Sequence, residues 1–548
     1  MSAASTLLKP FIRNNKLLMI SSIVAGLLNN IFTLLLTLSI GKYFDDAFAY
    51  NTNKGRILSL MGLHFDKNLF HFISFFEALI IAKLIIGWAD AYLTALNGEC
   101  LSKRLREKLF ETQLYQEYEN FQRKETGKYF LRYSGDMRSM QNMLTKGIIG
   151  FIKDVLFVIT GIFFLLQLQP VLAATFLLFA LSLILLTMAF DKKLKKLMAH
   201  KRDMQSSLLS FVAVRLLTLR SVKAFNKEPV ERTRFNKRSA INFEIARQYH
   251  FINSLIQSSA PVVLYASLVL TLWATSVYSS PVKGGILLSY VLLTILLFPS
   301  LRKIIKIRTI WQSGNLSANK LQEIFNMPSE HNSTEKLKGN INTITINETD
   351  IDTAGNNELG QISETMSPGR LYFLNHERGH SLIQFLTGIS QSSAGNIFIN
   401  DTDIHQLSKK SIRRKIAVSA DTFPLYGRTV YEAAAYRKNP ENRESLQRLL
   451  QELHFFAAPI IDIDKPIGMH GNQLPPDQKK ILLHARALLT GKRVLILEEP
   501  FSGLSIFQVQ SLQKLLRQKS SNHVIIITGE ELGLLKKIDT IIQKPVLN

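Results

Sequence analysis

Six runs of mostly apolar residues constrain this chain more than any other feature. Each approaches the length of about 20 residues that lets a helix cross a bilayer. They cover Leu17–Tyr43, Phe70–Leu96, Ile148–Leu168, Val171–Phe190, Leu255–Ser276 and Gly285–Ile305. The third and fourth are separated only around Gln167–Pro170, which predicts a tight hairpin turn. The first run is too long for the apolar core of a cleavable leader, and no leader is expected.

The formal net charge of +24 could suggest nucleic acid. Much of it, however, falls in two segments between spans. Leu101–Lys146 carries Lys103, Arg104, Arg106, Lys108 and further cations, and Asp191–Arg247 is equally basic. The opposite loops, Gly41–Lys67 and Val277–Lys283, carry far fewer. The positive-inside rule accounts for this asymmetry, placing both long loops and both termini in the cytoplasm. No nucleic-acid partner is expected; membrane lipid is. Arg104–Leu114 and Ser206–Phe225 keep apolar residues at helical spacing, so the spans should run on into the cytoplasm as long helices, with a short surface-parallel turn capping each pair. Glu77, Lys83 and Asp90 lie within the second span. Lys83 and Asp90 share a helix face, where charge is costly and often lines a pathway. Cys100 is the one cysteine, so an intrachain disulfide is excluded.

The pattern changes after the polar, proline-interrupted stretch 326–339. Ile341–Ile346, Leu371–Leu374, Asn396–Ile399, Ile416–Ser419, Val494–Leu497 and Val524–Thr528 read as strands; Gly379–Leu386 and Pro476–Leu489 read as helices. Such alternation predicts an α/β domain with a largely parallel sheet. The expected organisation is a membrane domain over 1–325, a linker over 326–339 and an α/β domain over 340–548.

Particular motifs sharpen this reading. Arg104–Phe110, Phe121–Gly127 and Ser134–Asp136, together with Val222–Glu228, resemble the segments around the two coupling helices of ATP-binding-cassette (ABC) exporters. The strand Leu371–Leu374 followed by Asn375-His-Glu-Arg-Gly-His-Ser381 is similar to the family's phosphate loop, and Val494–Pro500 to its acidic strand. The resemblance covers nearly the whole chain. It implies a membrane α-helical bundle of six transmembrane helices with long cytoplasmic extensions, plus an α/β P-loop NTPase-like cassette. It also implies ATP and Mg²⁺ as cofactors and a bacterial-type inner (plasma) membrane as location.

Set against the family pattern, the cassette keeps its framework while its chemistry has changed. In a phosphate loop, backbone N–H groups cradle phosphate, a lysine neutralises charge and a hydroxyl binds Mg²⁺. Gly379 and Ser381 remain, but His380 takes the lysine position, and Asn375, His376, Glu377 and Arg378 replace small residues. Glu377 repels a polyphosphate, and Arg378 is the cation that could compensate. The Mg²⁺ positions fall on Ser381 and Glu498, the latter a glutamate where the family usually has aspartate. Glu499 stands at the general base. The glutamine that senses Mg²⁺ is Ala420, the switch histidine is Gly529, and the loop aspartate is Ser505. The signature is Leu474, Pro475, Pro476, Asp477 and Gln478; Pro476 has no N–H to offer, Pro475 has no hydroxyl, and Asp477 is anionic. No aromatic residue between Asn340 and Leu371 is present to stack on adenine.

Losses at every step imply a cassette that binds and hydrolyses ATP weakly or not at all. The expected function is therefore a half-transporter moving an amphiphile, lipid or peptide, paired with a different half rather than with its own copy. The alternative is a non-transporting scaffold or regulatory subunit with a pseudo-ATPase cassette.

Overall fold

The computed structural model describes residues 3–47, 69–118, 129, 132–168, 170–277, 284–330, 335–347, 364–374, 376–390, 397–435, 441–455, 462–529 and 540–541. Two compact units divide the chain, with the main break between Met327 and Pro328.

The first unit is helical. Its long elements are Lys16–Ala47, Leu69–Tyr115, Phe151–Leu168, Pro170–Leu217, Glu228–Val277 and Gly284–Phe325. Among the described residues, four stretches are long and apolar enough to cross a membrane: Lys16–Ile40, Phe72–Tyr115, Arg132–Gln167 and Glu228–Trp273. This differs from the six spans read from the sequence. The other two expected spans, Val171–Phe190 and Gly285–Ile305, lie in the helices Pro170–Leu217 and Gly284–Phe325. Several of their side chains fall outside the described set, and the apolar helix found in the first of them is the shorter Ala173–Ser182.

The expected hairpin has Pro170 as the first helical residue of its second arm. Proline is tolerated there because that N–H has no intrahelical partner. The long helices do run on as basic extensions. Pro170–Leu217 has 48 residues and Glu228–Val277 has 50, and the six-residue helix Leu219–Ala224 joins them. The Phe121–Gly127 motif and most of Gly41–Lys67 lie outside the described residues, as does nearly all of Val277–Lys283. The core of this unit gathers Leu34, Phe157, Phe176, Tyr290, Leu293 and Leu297. Gly161 permits close helix approach, since a Cβ there would lie 2.2 Å from Leu297 Cδ2.

The second unit has two sheets. One is antiparallel, in the order β2-β1-β4-β5 (Glu364–Met366, Ile344–Ile346, Ile397–Ile399, Thr402–Asp403). The other is parallel, in the order β6-β7-β8-β3-β9 (Ile416–Ser419, Val494–Glu498, Val524–Thr528, Leu371–Leu374, Thr540–Ile541). Successive residues of the parallel strands feed two different cores. Phe373, Leu495, Leu497 and Ile525 pack on one face; Tyr372, Ile496, Val524 and Ile526 pack on the other. A sheet covered on both faces needs continuous apolar strands, and burying each aliphatic side chain contributes roughly 1.5–3 kcal/mol.

Candidate functional site

The carboxyl ends of β3, β6, β7 and β8 converge, because parallel strands in register finish at one edge of the sheet. Leu374 pairs with Thr528, Thr528 with Glu498, and Leu497 with Ser419. This edge collects most of the residues singled out in the sequence.

Between β3 and the next helix stands Asn375, which lies outside the described residues. The helix then opens at His376 and runs to Leu386. The sequence reading started it at Gly379. With no glycines over 376–378, these residues adopt helical backbone instead of a wrapping loop. Gly379, His380 and Ser381 therefore lie inside the helix, while Glu377 and Arg378 have no described side-chain position. Gly379 is packed on β8: a Cβ there would lie 2.2 Å from Thr528 Cβ.

The acidic pair meets histidines from this helix. His380 Nδ1 lies 3.0 Å from Glu498 Oε1, and its Nε2 lies 2.9 Å from Gln384 Nε2. His376 Nδ1 approaches Glu499 Oε1 to 3.1 Å, out of line for a hydrogen bond. Glu498 is buried at the end of β7, whereas Glu499 has a left-handed backbone (φ 44°) and is partly exposed. Its N–H donates to Thr528 O at 2.6 Å. Gly529 stands beside it, since a Cβ there would meet Glu499 Cγ at 3.4 Å.

Lys480, which the sequence reading does not single out, organises this edge. It is 6% exposed, and its Nζ donates to Glu498 O at 3.1 Å and to Asp421 Oδ2 at 3.2 Å. Its helix, Pro476–Leu488, has Pro475 at the N-cap, whose side chain makes no capping hydrogen bond. Asp477 lies in the first turn; Leu474 is buried just before it. Asp477 Oδ2 accepts from Gln508 Nε2 at 3.5 Å. One turn beyond Lys480, His484 is fully buried between Ser419 Oγ (2.8 Å) and Pro500 O (2.9 Å). Burial, and then the Lys480 charge, lower its pKa to about 4, so it is neutral at physiological pH. Ala420, at the glutamine position, is buried just past β6. Ser505 caps the helix Ile506–Ser520 in a reciprocal box with Gln508.

As a test of fit, a Mg²⁺-bound polyphosphate needs a wrapping loop, a cation facing it and carboxylates free to reach metal-bound water. Here the chain is helical from His376 on, both nitrogens of the substituted imidazole are engaged, and Glu498 is held by that imidazole. The described side chains do not match such a donor set.

In the membrane unit, Asp90 does not share its charge with Lys83. It pairs with Lys153, which also donates to Thr94 Oγ1 at 2.7 Å and Ser22 Oγ at 3.3 Å. Lys153 is 8% exposed. Sequence reasoning missed it, although Lys153 sits beside Asp154 inside the third apolar run; a complementary charge in two neighbouring spans was the available signal. Glu77 is exposed.

Comparison with known proteins agrees with this architecture. A model of the ABC transporter transmembrane region matches residues 17–301, and the ABC transporter cassette model matches 359–502. The chain is 21% identical over 547 residues to an ATP-dependent lipid A-core flippase of Haemophilus ducreyi, covering 97% of this chain and 92% of that protein. It is 22% identical over 481 residues to ABC transporter B family member 4 of Dictyostelium discoideum, covering 85% of this chain and 63% of that relative. Among solved structures, a bacterial Atm1-family ABC exporter with ATP bound superposes with a TM-score of 0.76 at 16% identity, over 95% of this chain and 92% of that one. With its membrane model alone spanning more than half of the sequence, the chain belongs to the ABC transporter family and is a multi-pass integral membrane protein carrying that family's transmembrane region and cassette.

Proposed function

We propose that this chain is one half of an exporter, with six spans in 1–325, a linker over 326–339 and a cassette over 340–548, and that it moves a lipid or other amphiphile. Its cassette binds and turns over ATP weakly or not at all, and it works beside a different, competent half. The names of its relatives, lipid A-core flippases in H. ducreyi and Methylococcus capsulatus, support the lipid class. The observation that carries the reading is His380. The ring at the lysine position bonds to Glu498 and Gln384 and leaves no ammonium to neutralise a phosphate. The two proline residues at the signature, which offer no N–H, support the same reading for the opposite composite site. The location is a bacterial-type inner membrane with both termini cytoplasmic, on the distribution of Lys and Arg.

Tagged full-length chain, purified from its native membrane, is expected to bring down a second and different half-transporter. Recovery of copies of itself alone, with micromolar Mg·ATP affinity, would contradict the proposal. Recovery of no other half, with no Mg·ATP binding up to millimolar, would favour the scaffold reading.

A further inference from the structure

The residues that stand where the family holds nucleotide bring two histidines and two carboxylates together at the end of β7. His376 and His380 lie four residues apart in the helix His376–Leu386, so they share one face. Their rings are tilted by 20° to each other, with centroids 6.4 Å apart. Residues 376–380 read His-Glu-Arg-Gly-His. A helix carrying H-E-x-x-H presents both imidazoles to one metal ion. Glu377 has no described side-chain position, and no hydrolytic step is assigned to it.

Each histidine faces its own carboxylate. His376 Nδ1 is 3.1 Å from Glu499 Oε1, and His380 Nδ1 is 3.0 Å from Glu498 Oε1. Successive side chains of an extended strand point to opposite faces, so an adjacent acidic pair ordinarily splits. Here the left-handed backbone of Glu499 (φ 44°) breaks the alternation just past β7, and both carboxylates meet the same helix. Such backbone strain clusters at ligand-holding sites. Among the described residues neither carboxylate has a lysine or arginine within ion-pair range. Beside neutral imidazoles, two negative charges are left next to each other, and one divalent cation balances both. His376 Nδ1 gives an independent sign. The atom is buried and makes no hydrogen bond, and a buried nitrogen without a partner calls for one.

We propose that His376, His380, Glu498 and Glu499 hold one zinc ion in a closed tetrahedral site that ties the helix after β3 to the end of β7. Zinc sits about 2.0–2.2 Å from imidazole nitrogen and carboxylate oxygen, which sets neighbouring ligand atoms of a tetrahedron roughly 3.4 Å apart. Each histidine–glutamate pair already spans close to one such edge. Among the described residues no three such side chains are gathered around one point, so the ion completes the site by drawing the two pairs together through side-chain rotation. Gln384 supports His380 from the other side, 2.9 Å from its Nε2. With the amide oxygen turned to that nitrogen, Nε2–H donates outward and Nδ1 keeps its lone pair for the metal. Magnesium prefers an octahedral set of oxygens, whereas mixed imidazole and carboxylate donors suit zinc. Four protein ligands leave no position for a reacting water, so the ion is structural. The site needs no transport step and goes beyond the exporter reading.

The test uses the full-length chain, purified in detergent through a tag without histidine and stripped of metal by a chelator. Titration with Zn²⁺ against a chromophoric zinc indicator should count one tight site per chain. H376N and H380N should each weaken it by at least about a hundredfold, since losing a ligand costs no less than losing a ligand's outer contact. Cobalt in place of zinc should give the intense visible bands of a four-coordinate ion. Millimolar Mg²⁺ should leave zinc in place. Unchanged melting temperatures of the metal-free variants would show them folded. Should H380N unfold, H376N carries the test, because the His376 ring is 44% exposed and its removal disturbs packing least. No tight site in the wild type, or zinc binding that survives both substitutions, would overturn the proposal. A six-coordinate cobalt spectrum, or displacement of zinc by Mg²⁺, would overturn it too.

Discussion

The two units handle their ionisable groups in opposite ways. At the sheet edge of the cassette, side chains close on one another: His380 on Glu498, Lys480 on Asp421 and the Glu498 carbonyl, His484 between Ser419 and Pro500. In the helical unit, the partners of the Lys153–Asp90 and Arg132–Asp136 pairs neutralise each other at half-buried or buried positions, while Arg138 and Lys146 are exposed with no ion pair among the described residues. A polar cluster that satisfies itself is rigid and has little left for a phosphate ligand. The contrast sets a polar edge that satisfies itself in the cassette against exposed, unpaired cations in the helical unit.

The largest expected effect tests the Lys153–Asp90 pair. K153A leaves the half-buried Asp90 carboxylate without its cation and should cost about 3 kcal/mol, the low end for breaking a buried pair, read as a fall in the detergent melting temperature. The paired change D90N/K153M should recover most of it. A K153A chain as stable as wild type would break the comparison, since the pair would not be structural.

Next comes the pH response of the cassette. Unfolded His484 takes up its proton as pH falls through about 6.5, while the folded imidazole stays neutral to about 4. Stability contributed by the neutral, buried ring is therefore complete above about 6.5 and lost as pH falls towards 4, on the order of 3 kcal/mol. Denaturation midpoints over that range should fall in wild type and fall less steeply in H484Q. Parallel slopes would remove His484 from the framework.

Smaller again is G379A. Its methyl group would press on Thr528 and should cost about 1–3 kcal/mol in denaturant unfolding. No loss would mean that the helix can move away from β8. The smallest is S505A, which removes a helix cap and should cost about 1 kcal/mol. S505D should retain that stability, because aspartate caps equally well.

Legibility in the sequence followed the length and continuity of each signal. The strands Leu371–Leu374, Ile416–Ser419 and Val524–Thr528 match their expected bounds, because apolar runs buried on both faces leave a local trace. The strands Glu364–Met366, Thr402–Asp403 and Thr540–Ile541 went unread. Two or three residues of mixed polarity carry no period, and their pairing partners supply the order. The chemistry-bearing positions at the cassette edge could be placed only through the family pattern, since His380 and Glu498 are 118 residues apart. What the histidine ring bonds to was not legible, because side-chain partners depend on the packed helix. Lys153 and Asp90, 63 residues apart in two apolar runs, looked like isolated charges until the helices were side by side.

The most direct measurement is Mg·ATP hydrolysis by the purified full-length chain without any partner. The account predicts a rate at background that Glu499→Gln does not change, because the phosphate-handling groups are missing or committed elsewhere. Steady hydrolysis abolished by Glu499→Gln would contradict it, and would make this cassette a working ATPase with unusual residues.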